Sequence, residues 1–161
     1  MFTVRASHSE KVEINAEFEK VRDFFTNIQN FIELMPSIES IHTDGKGIAH
    51  WKIRADIPFI GSFIEKFSVR EIEDSDELVE WIPALDEKYN LMKYAAEFLP
   101  KKRNLTLVQF SQTIEMRRNS ATDLHLLAGL AGESIISREM TKRVADMLKT
   151  FIIQARNQIE S

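Results

Sequence analysis

The order of the predicted elements limits the fold of this chain more than any single motif does. The stretch from Asn15 to Ile41 predicts two short helices, ended by Pro36 and followed by a new strand. Most of the chain after that point is typical of strands joined by turns, until one long helix closes it. Strands joined by tight turns pair antiparallel, and a sheet with one apolar face needs cover. The pattern therefore predicts an α+β fold in which the last helix covers a sheet.

The first strand is predicted at residues 2–14, where apolar residues keep one parity on both sides of a polar stretch. That stretch, His8 to Lys11, indicates either a bend or an exposed section. Asn15 is the expected N-cap of the first helix, and residues 27–30 are expected to separate the first helix from the second.

Alternation of apolar and polar residues predicts six more strands, at residues 38–43, 49–57, 62–73, 78–83, 88–99 and 104–118. Asp44-Gly45-Lys46-Gly47 has the residues of a hairpin turn. Pro100-Lys101-Lys102-Arg103 is expected to join the last two strands, as a turn exposed to solvent. Residues 119–132 are expected to be a loop with a short apolar helix inside it.

The closing helix is predicted from Glu133 to Glu160, a stretch without glycine or proline. At about 1.5 Å per residue it would be roughly 40 Å long, enough to cross a whole sheet. Its apolar residues recur at helical spacing, at Ile136, Met140, Val144, Met147, Leu148, Phe151 and Ala155.

Composition excludes several classes of function. The 161 residues fit one domain, and 43% hydrophobic residues allow a packed core. A net charge of −4 without a basic block argues against nucleic acid as a partner. The chain has no cysteine, which excludes disulfides, thiolate metal sites and cysteine nucleophiles.

The N-terminus lacks a signal peptide's apolar segment, and no apolar run reaches the length of a membrane span. We expect a cytoplasmic protein without an integral membrane segment, for which peripheral membrane contact stays open. Eleven phenylalanines against two tyrosines favour a dry interior or an apolar pocket, because phenylalanine has no polar group.

The first third of the chain resembles the START-like, or helix-grip (SRPBCC), superfamily, which includes polyketide cyclases, coenzyme Q-binding proteins and small accessory proteins of carbon monoxide dehydrogenase. The residues that carry the resemblance are Ala16, Val21, Phe24, Phe25, Asn27, Asn30, Phe31, Met35, Pro36 and Ile38 to Ile41. Residues 128–132, followed by the long helix, are similar to the end of those dehydrogenase accessory proteins. The resemblance covers nearly the whole chain in element order and implies a single domain, residues 1–161.

The resemblance implies a helix-grip fold, in which a curved seven-stranded antiparallel sheet wraps the C-terminal helix and leaves a cavity. The implied partner is a small hydrophobic ligand such as a lipid, a quinone, an isoprenoid or a polyketide-like molecule. The candidate ligand-binding residues are Phe31, Met35, Trp51, Ile53, Glu65, Phe67, Trp81, Tyr94, Phe98, Phe110, Gln112, Met140, Val144, Met147 and Phe151. A filled core would use the same apolar residues, so both interpretations stay open.

Three polar residues, Glu65, Glu71 and Gln112, share the parity of apolar neighbours on their strands. Facing inward, they would orient a ligand or act as an acid or base with a raised pKa. A strand twist or bulge would instead expose them near an edge. Of the three, Glu65 and Gln112 are the better candidates for ligand contact.

The other polar motifs predict no metal site and no cofactor. The four histidines, His8, His42, His50 and His125, are scattered without the spacing of a zinc site. No serine stands in a nucleophile-elbow motif, and no glycine-rich phosphate loop occurs.

Three functions remain as hypotheses: a carrier of an apolar ligand, an enzyme of the cyclase or aromatase kind, and an accessory component of a redox enzyme. In the second of these, Glu65, Glu71, Gln112 or Tyr94 would guide proton transfer. The apolar run from Leu124 to Leu130 suits a lid, a membrane-touching loop or a dimer contact, or else a helix packed on the sheet edge. A protein partner is not predicted.

Overall fold

The computed structural model describes the backbone of all 161 residues and every side chain except that of Glu73. Seven strands form one curled antiparallel sheet in the order β1-β7-β6-β5-β4-β3-β2. They are β1 (Phe2–Ile14), β2 (Ile38–Thr43), β3 (Ala49–Ile57), β4 (Gly61–Asp74), β5 (Leu78–Pro83), β6 (Asn90–Lys102) and β7 (Leu105–Arg118). The helices are α1 (Phe18–Thr26), α2 (Ile28–Leu34), α3 (Ala128–Ala131) and α4 (Glu133–Glu160), and a 3₁₀ turn spans Ala121–Asp123. The predicted helix-grip fold is confirmed.

The concave face of the sheet is buried because apolar residues alternate along each strand. On β3, Ala49, Trp51 and Ile53 are buried, while the residues between them are only partly covered. The same alternation holds along β1, where residues of even number face inward. The core therefore lies between the concave face and the helices α1, α2 and α4.

Aromatic side chains connect α4 to the sheet. Phe151 of α4 is fully buried, and its ring centroid lies 5.1 Å from that of Phe31 on α2. The ring of Phe110 on β7 lies 5.7 Å from that of Phe151. Edge and tilted ring pairs at such distances add about 0.5–1.5 kcal/mol each to the free energy of burial.

Side chains of α4 also bind the free edge of β1. Glu133 Oε1 accepts a hydrogen bond from the backbone N–H of Thr3 at 3.0 Å, and Ser137 Oγ accepts one from Arg5 N–H at 3.0 Å. At the other end of the strand, Glu160 Oε1 accepts from the backbone N–H of Asn15 at 2.8 Å. An exposed edge strand invites pairing with other chains, so these bonds protect the edge.

Two predictions about the ends of elements are wrong. Asn15 does not cap α1, which has Glu17 at its N-cap position, because Asn15 is bound to Glu160 instead. β6 does not end before the proline but continues through Pro100 to Lys102, where the pairing with β7 shifts register. Such a shift accommodates a proline in a strand.

The backbone also decides three stretches whose structure the sequence left open. Residues 8–11 continue β1 without a break, paired to β7 throughout. Asn27 separates α1 from α2, because its side chain accepts a hydrogen bond from Gln29 N–H. Residues 119–132 contain the short helix α3, as predicted.

Replacing Phe151 by alanine tests the role of the ring contacts. We expect Phe151→Ala to lower the free energy of unfolding by about 3–5 kcal/mol, because the cavity lies in a rigid aromatic core. Phe59→Ala is the control, since Phe59 is 99% exposed, and should change stability by about 0.5 kcal/mol or less. Urea unfolding of both variants measures this, and equal losses would contradict the account.

Candidate functional site

The predicted ligand-binding residues converge on the space between the concave face of the sheet, α2 and α4. All of them are buried except Glu65 and Trp81, which are partly covered. The buried members are Phe31, Met35, Trp51, Ile53, Phe67, Tyr94, Phe98, Phe110, Gln112, Met140, Val144, Met147 and Phe151.

The centre of this space is occupied by rings in contact. The ring centroids of Trp51 and Tyr94 are 5.3 Å apart, and Phe31 lies 5.8 Å from both rings. Phe25 of α1 joins the cluster at 5.7 Å from Phe151. Phe25 was absent from the predicted ligand-binding set, although its helical spacing placed it on the buried side of α1. A ligand at the centre therefore requires these rings to move.

A row of residues with polar atoms crosses the concave face at one level. Glu71 is the register partner of Trp81, Trp81 of Tyr94, Tyr94 of Gln112, and Gln112 of His8. Facing residues of antiparallel strands have Cβ atoms about 5 Å apart, so the row is continuous across five strands. The rings of Trp81 and Tyr94 stack at 5.8 Å within it.

Two buried polar atoms beside this row have no partner. Gln112 is 2% exposed, and its Nε2 donates a weak hydrogen bond to Met92 Sδ at 3.0 Å. Within the described side chains, neither Gln112 Oε1 nor Trp51 Nε1 has a hydrogen-bond partner. Leaving a buried polar atom unpaired costs about 1–3 kcal/mol. One acceptor and one donor therefore await polar groups on the concave face.

The protonation of the row is shifted in favour of neutral groups. Burial raises the pKa of the Tyr94 phenol well above 10, and the negative charge of Glu71 adds to that shift. Loss of hydration also raises the pKa of the Glu71 carboxyl, helped by the charge of Asp74 and opposed by Arg22. Tyr94 thus remains a hydrogen-bond donor at neutral pH.

The β1 end of the row was missed by sequence reasoning. His8 Nε2 and Glu10 Oε1 lie 2.6 Å apart, and both side chains are about three-quarters covered. Their even numbers give them the inward parity of Val4, Ala6 and Val12, which was the signal available in the sequence. The polar character of the stretch outweighed that parity in the prediction.

Glu65 already has partners at the end of the sheet where β7 stops. Its Oε2 accepts hydrogen bonds from Arg118 Nη2 and from Asn90 Nδ2, both at 2.8 Å. Asn90 Nδ2 also donates to the backbone oxygen of Lys66 at 2.9 Å. Glu65 therefore joins β4, β6 and β7, and its role in ligand contact stays a prediction.

An apolar rim lies at this same end of the molecule. The rings of Phe63 on β4 and His125 lie 6.2 Å apart, so the β3–β4 turn adjoins residues 124–131. Leu126 and Leu130 are 83% and 86% exposed, as is nearly all of Phe59, which has a left-handed backbone with φ 70°. Leu124 and Ala128 of the same segment are buried. The segment thus packs on one side and exposes leucines on the other.

Among the described side chains, no group of three His, Cys, Asp or Glu residues is arranged to hold a metal ion. None of the helices in the described part of the chain is long and apolar enough to cross a membrane.

Comparison with known proteins identifies the fold. No protein-family model matches the sequence, and no curated protein matches it. The Zhui aromatase/cyclase from Streptomyces sp. R1128 superposes with a TM-score of 0.60 at 12% identity, over 96% of this chain and 91% of that chain. A START superfamily protein from Mycobacterium smegmatis also gives 0.60 at 12% identity, over 96% and 97% of the two chains.

The di-domain aromatase/cyclase BexL, from the BE-7585A biosynthetic pathway, gives a TM-score of 0.65 at 15% identity. It is matched over 98% of this chain and 51% of its own, so the present chain spans about half of it. The chain has the START-like fold that the sequence resemblance implied.

The raised pKa of Glu71 predicts a specific dependence of stability on pH. Because the carboxyl holds its proton more tightly when folded, its contribution is fully present below the ordinary pKa of 4.5 and is lost as pH rises through the folded value. We expect Glu71→Gln to gain stability over the native chain as pH rises from about 4 to 8. Urea unfolding across that range measures it, and parallel curves for the two proteins would contradict the shift.

Proposed function

We propose that residues 1–161 act as one domain that binds a small hydrophobic molecule between the concave face and α4. A lipid, a quinone, an isoprenoid or a polyketide-like molecule suits this space. The unpaired atoms Gln112 Oε1 and Trp51 Nε1 carry the proposal, because they offer one acceptor and one donor inside an otherwise apolar interior. Pockets for small molecules combine an apolar lining with a few polar groups that set orientation.

The lining and the polar atoms divide the work of binding. Burial of apolar ligand surface supplies affinity, at roughly 25 cal/mol per Å² before the costs of association. A ligand carbonyl accepts a hydrogen bond from Trp51 Nε1, and a ligand hydroxyl donates one to Gln112 Oε1. Tyr94, protonated at neutral pH, is a second donor to a carbonyl. A ligand with one oxygen at each end of a ring system satisfies all three.

Access is proposed through α2 and the apolar rim. Phe31, which contacts Trp51, Tyr94 and Phe151, belongs to α2, a helix of only 7 residues. An outward shift of α2 withdraws this ring and opens the centre of the cluster. At the far end, the exposed leucines of residues 124–131 and Phe59 give an apolar ligand a surface to meet first.

Native mass spectrometry after gentle purification tests whether the chain carries such a ligand. We expect a co-purified small molecule that organic solvent extracts, because burial of an apolar guest gives slow release. Decylubiquinone, oleate and an anthraquinone added to the stripped protein then identify the class that binds. The two tryptophans of the chain both face the ligand space, so quenching of their fluorescence reports occupancy. Absence of any bound or added ligand would refute the proposal.

Gln112→Leu separates a binding role from a structural one. Removing the buried unpaired oxygen is expected to raise the free energy of unfolding by about 1 kcal/mol. The same change is expected to weaken binding of the quinone probe about tenfold, the effect of one lost hydrogen bond. Gln109→Leu, on the outer face of β7, is the control and should alter neither quantity. A Gln112 variant of lower stability with native affinity would contradict the assignment.

An enzyme of the cyclase or aromatase kind is the second candidate, favoured by the row from Glu71 to Gln112. There Tyr94 donates a proton to a ligand carbonyl and Glu71 accepts one, since the row holds a donor and a carboxylate at one level. Two of the structurally similar proteins are named as aromatase/cyclases. Incubation with a synthetic poly-β-ketone tests it: ring closure that Tyr94→Phe abolishes supports an enzyme, and unchanged substrate refutes it.

A further inference from the structure

The outer face of the sheet carries a hydrogen-bonded chain of three residues that ligand binding on the concave face does not use. Ser68 Oγ lies 2.9 Å from His50 Nδ1, and His50 Nε2 lies 2.9 Å from Asp44 Oδ2. Ser68 and His50 are register partners on β4 and β3, and Asp44 stands in the adjoining β2–β3 turn. A serine, a histidine and a carboxylate in this order are the parts of a nucleophile activated by a general base.

The geometry determines which histidine nitrogen carries the proton. The hydrogen bond from His50 lowers the pKa of Asp44 to about 2, assisted by the backbone N–H groups of Lys46 and Ile48. The carboxylate is therefore ionised at neutral pH and accepts the proton of His50 Nε2. Nδ1 of the neutral ring is left as an acceptor, and Ser68 O–H donates to it. This is the arrangement in which histidine takes a proton from serine.

The three residues line a surface pocket of about 450 Å³. Its other walls include Arg70 of β4 and the loop after β5, where Ala84 N–H donates to the backbone oxygen of Ser68 at 2.9 Å. Arg70 lies two residues from Ser68 on the same face, and its Nε is buried without a partner among the described residues. The guanidinium places positive charge where a carbonyl oxygen bound at Ser68 would become negative.

We propose that Ser68, His50 and Asp44 form a second site, which hydrolyses small carboxylic esters through an acyl-serine intermediate. The pocket admits a short acyl chain and a small alcohol group. The site lies on the face of the sheet opposite to the proposed ligand space, so each proposal stands or fails without the other.

The reaction follows from the three roles. Ser68 Oγ attacks the ester carbonyl carbon while its proton passes to His50 Nδ1, and the carbonyl electrons move onto the oxygen. The tetrahedral intermediate expels the alcohol, which takes the proton from His50. Water then attacks the acyl-serine and gives a proton to His50, and that proton returns to Ser68 as the carboxylic acid leaves. Asp44 keeps the ring oriented and balances its charge at each step.

A fluorophosphonate probe tests the nucleophile in the native chain. Ser68 Oγ would attack the probe's phosphorus and expel fluoride, so peptide mass spectrometry should find the label on Ser68. Ser62 is the matched control, because it lies on the same face of β4 but bonds to Asp56 and Arg54 rather than to a histidine. Label on Ser68 alone supports the site, whereas an unlabelled Ser68, or equal label on Ser62, overturns it.

Hydrolysis of p-nitrophenyl acetate tests turnover. Ser68→Ala and His50→Gln should each lower the rate about 100-fold, the usual contribution of a general base, while Ser62→Ala keeps the native rate. Circular dichroism confirms that the variants are folded. A Ser68→Ala variant as fast as the native chain would place the activity elsewhere and overturn the proposal.

Asp44→Asn tests the positioning role of the carboxylate. Its amide Nδ2 would donate to His50 Nε2, so the ring proton would move to Nδ1 and the base facing Ser68 would be lost. We expect the ¹⁵N resonances of His50 to report this change of tautomer, together with a fall in hydrolysis of about 100-fold. A changed tautomer with native hydrolysis would overturn the assigned roles.

Discussion

Ring packing between α4 and the concave sheet is the interaction on which the rest of this structure depends. Phe151 joins the last helix to Phe31 of α2 and Phe110 of β7, so three separate parts of the chain meet at one point. Rings without polar atoms fill such a junction with no hydrogen bonds to satisfy, which suits a chain with eleven phenylalanines. The sheet curls because it must follow this convex helix-borne surface, and its outer face is then free for other chemistry.

The fold was predictable because its signals are local and repeated. Alternation along β3 and the 3.6-residue stripe from Ile136 to Ala155 each report burial of one face, and the structure confirms both. Individual contacts between distant residues were not predictable. Asn15 has the composition of an N-cap, but its partner Glu160 is 145 residues away, and nothing local announces that bond.

The candidate site shows the same division. Parity alone brought Trp81, Tyr94 and Gln112 to the concave face, whereas their alignment into one row depends on the register of four strand pairs. His8 had the right parity and was set aside because its neighbours are polar. Likewise, His50 and Ser68 are 18 residues apart and meet only through the pairing of β3 with β4. A search of the sequence for a serine motif therefore could not find them.

The pairing of β1 with β7 has a consequence for how the chain reaches this structure in a cell. Of the seven strands, the ribosome makes β1 first, but its strand partner and the α4 side chains that bind its other edge are made last. Nascent β1 must wait, with both edges open, through most of the synthesis of the sheet. Contacts of such high sequence separation slow folding, and an unpaired edge attracts other strands. The charged residues of its outward parity, Arg5, Lys11 and Glu13, keep this waiting strand soluble.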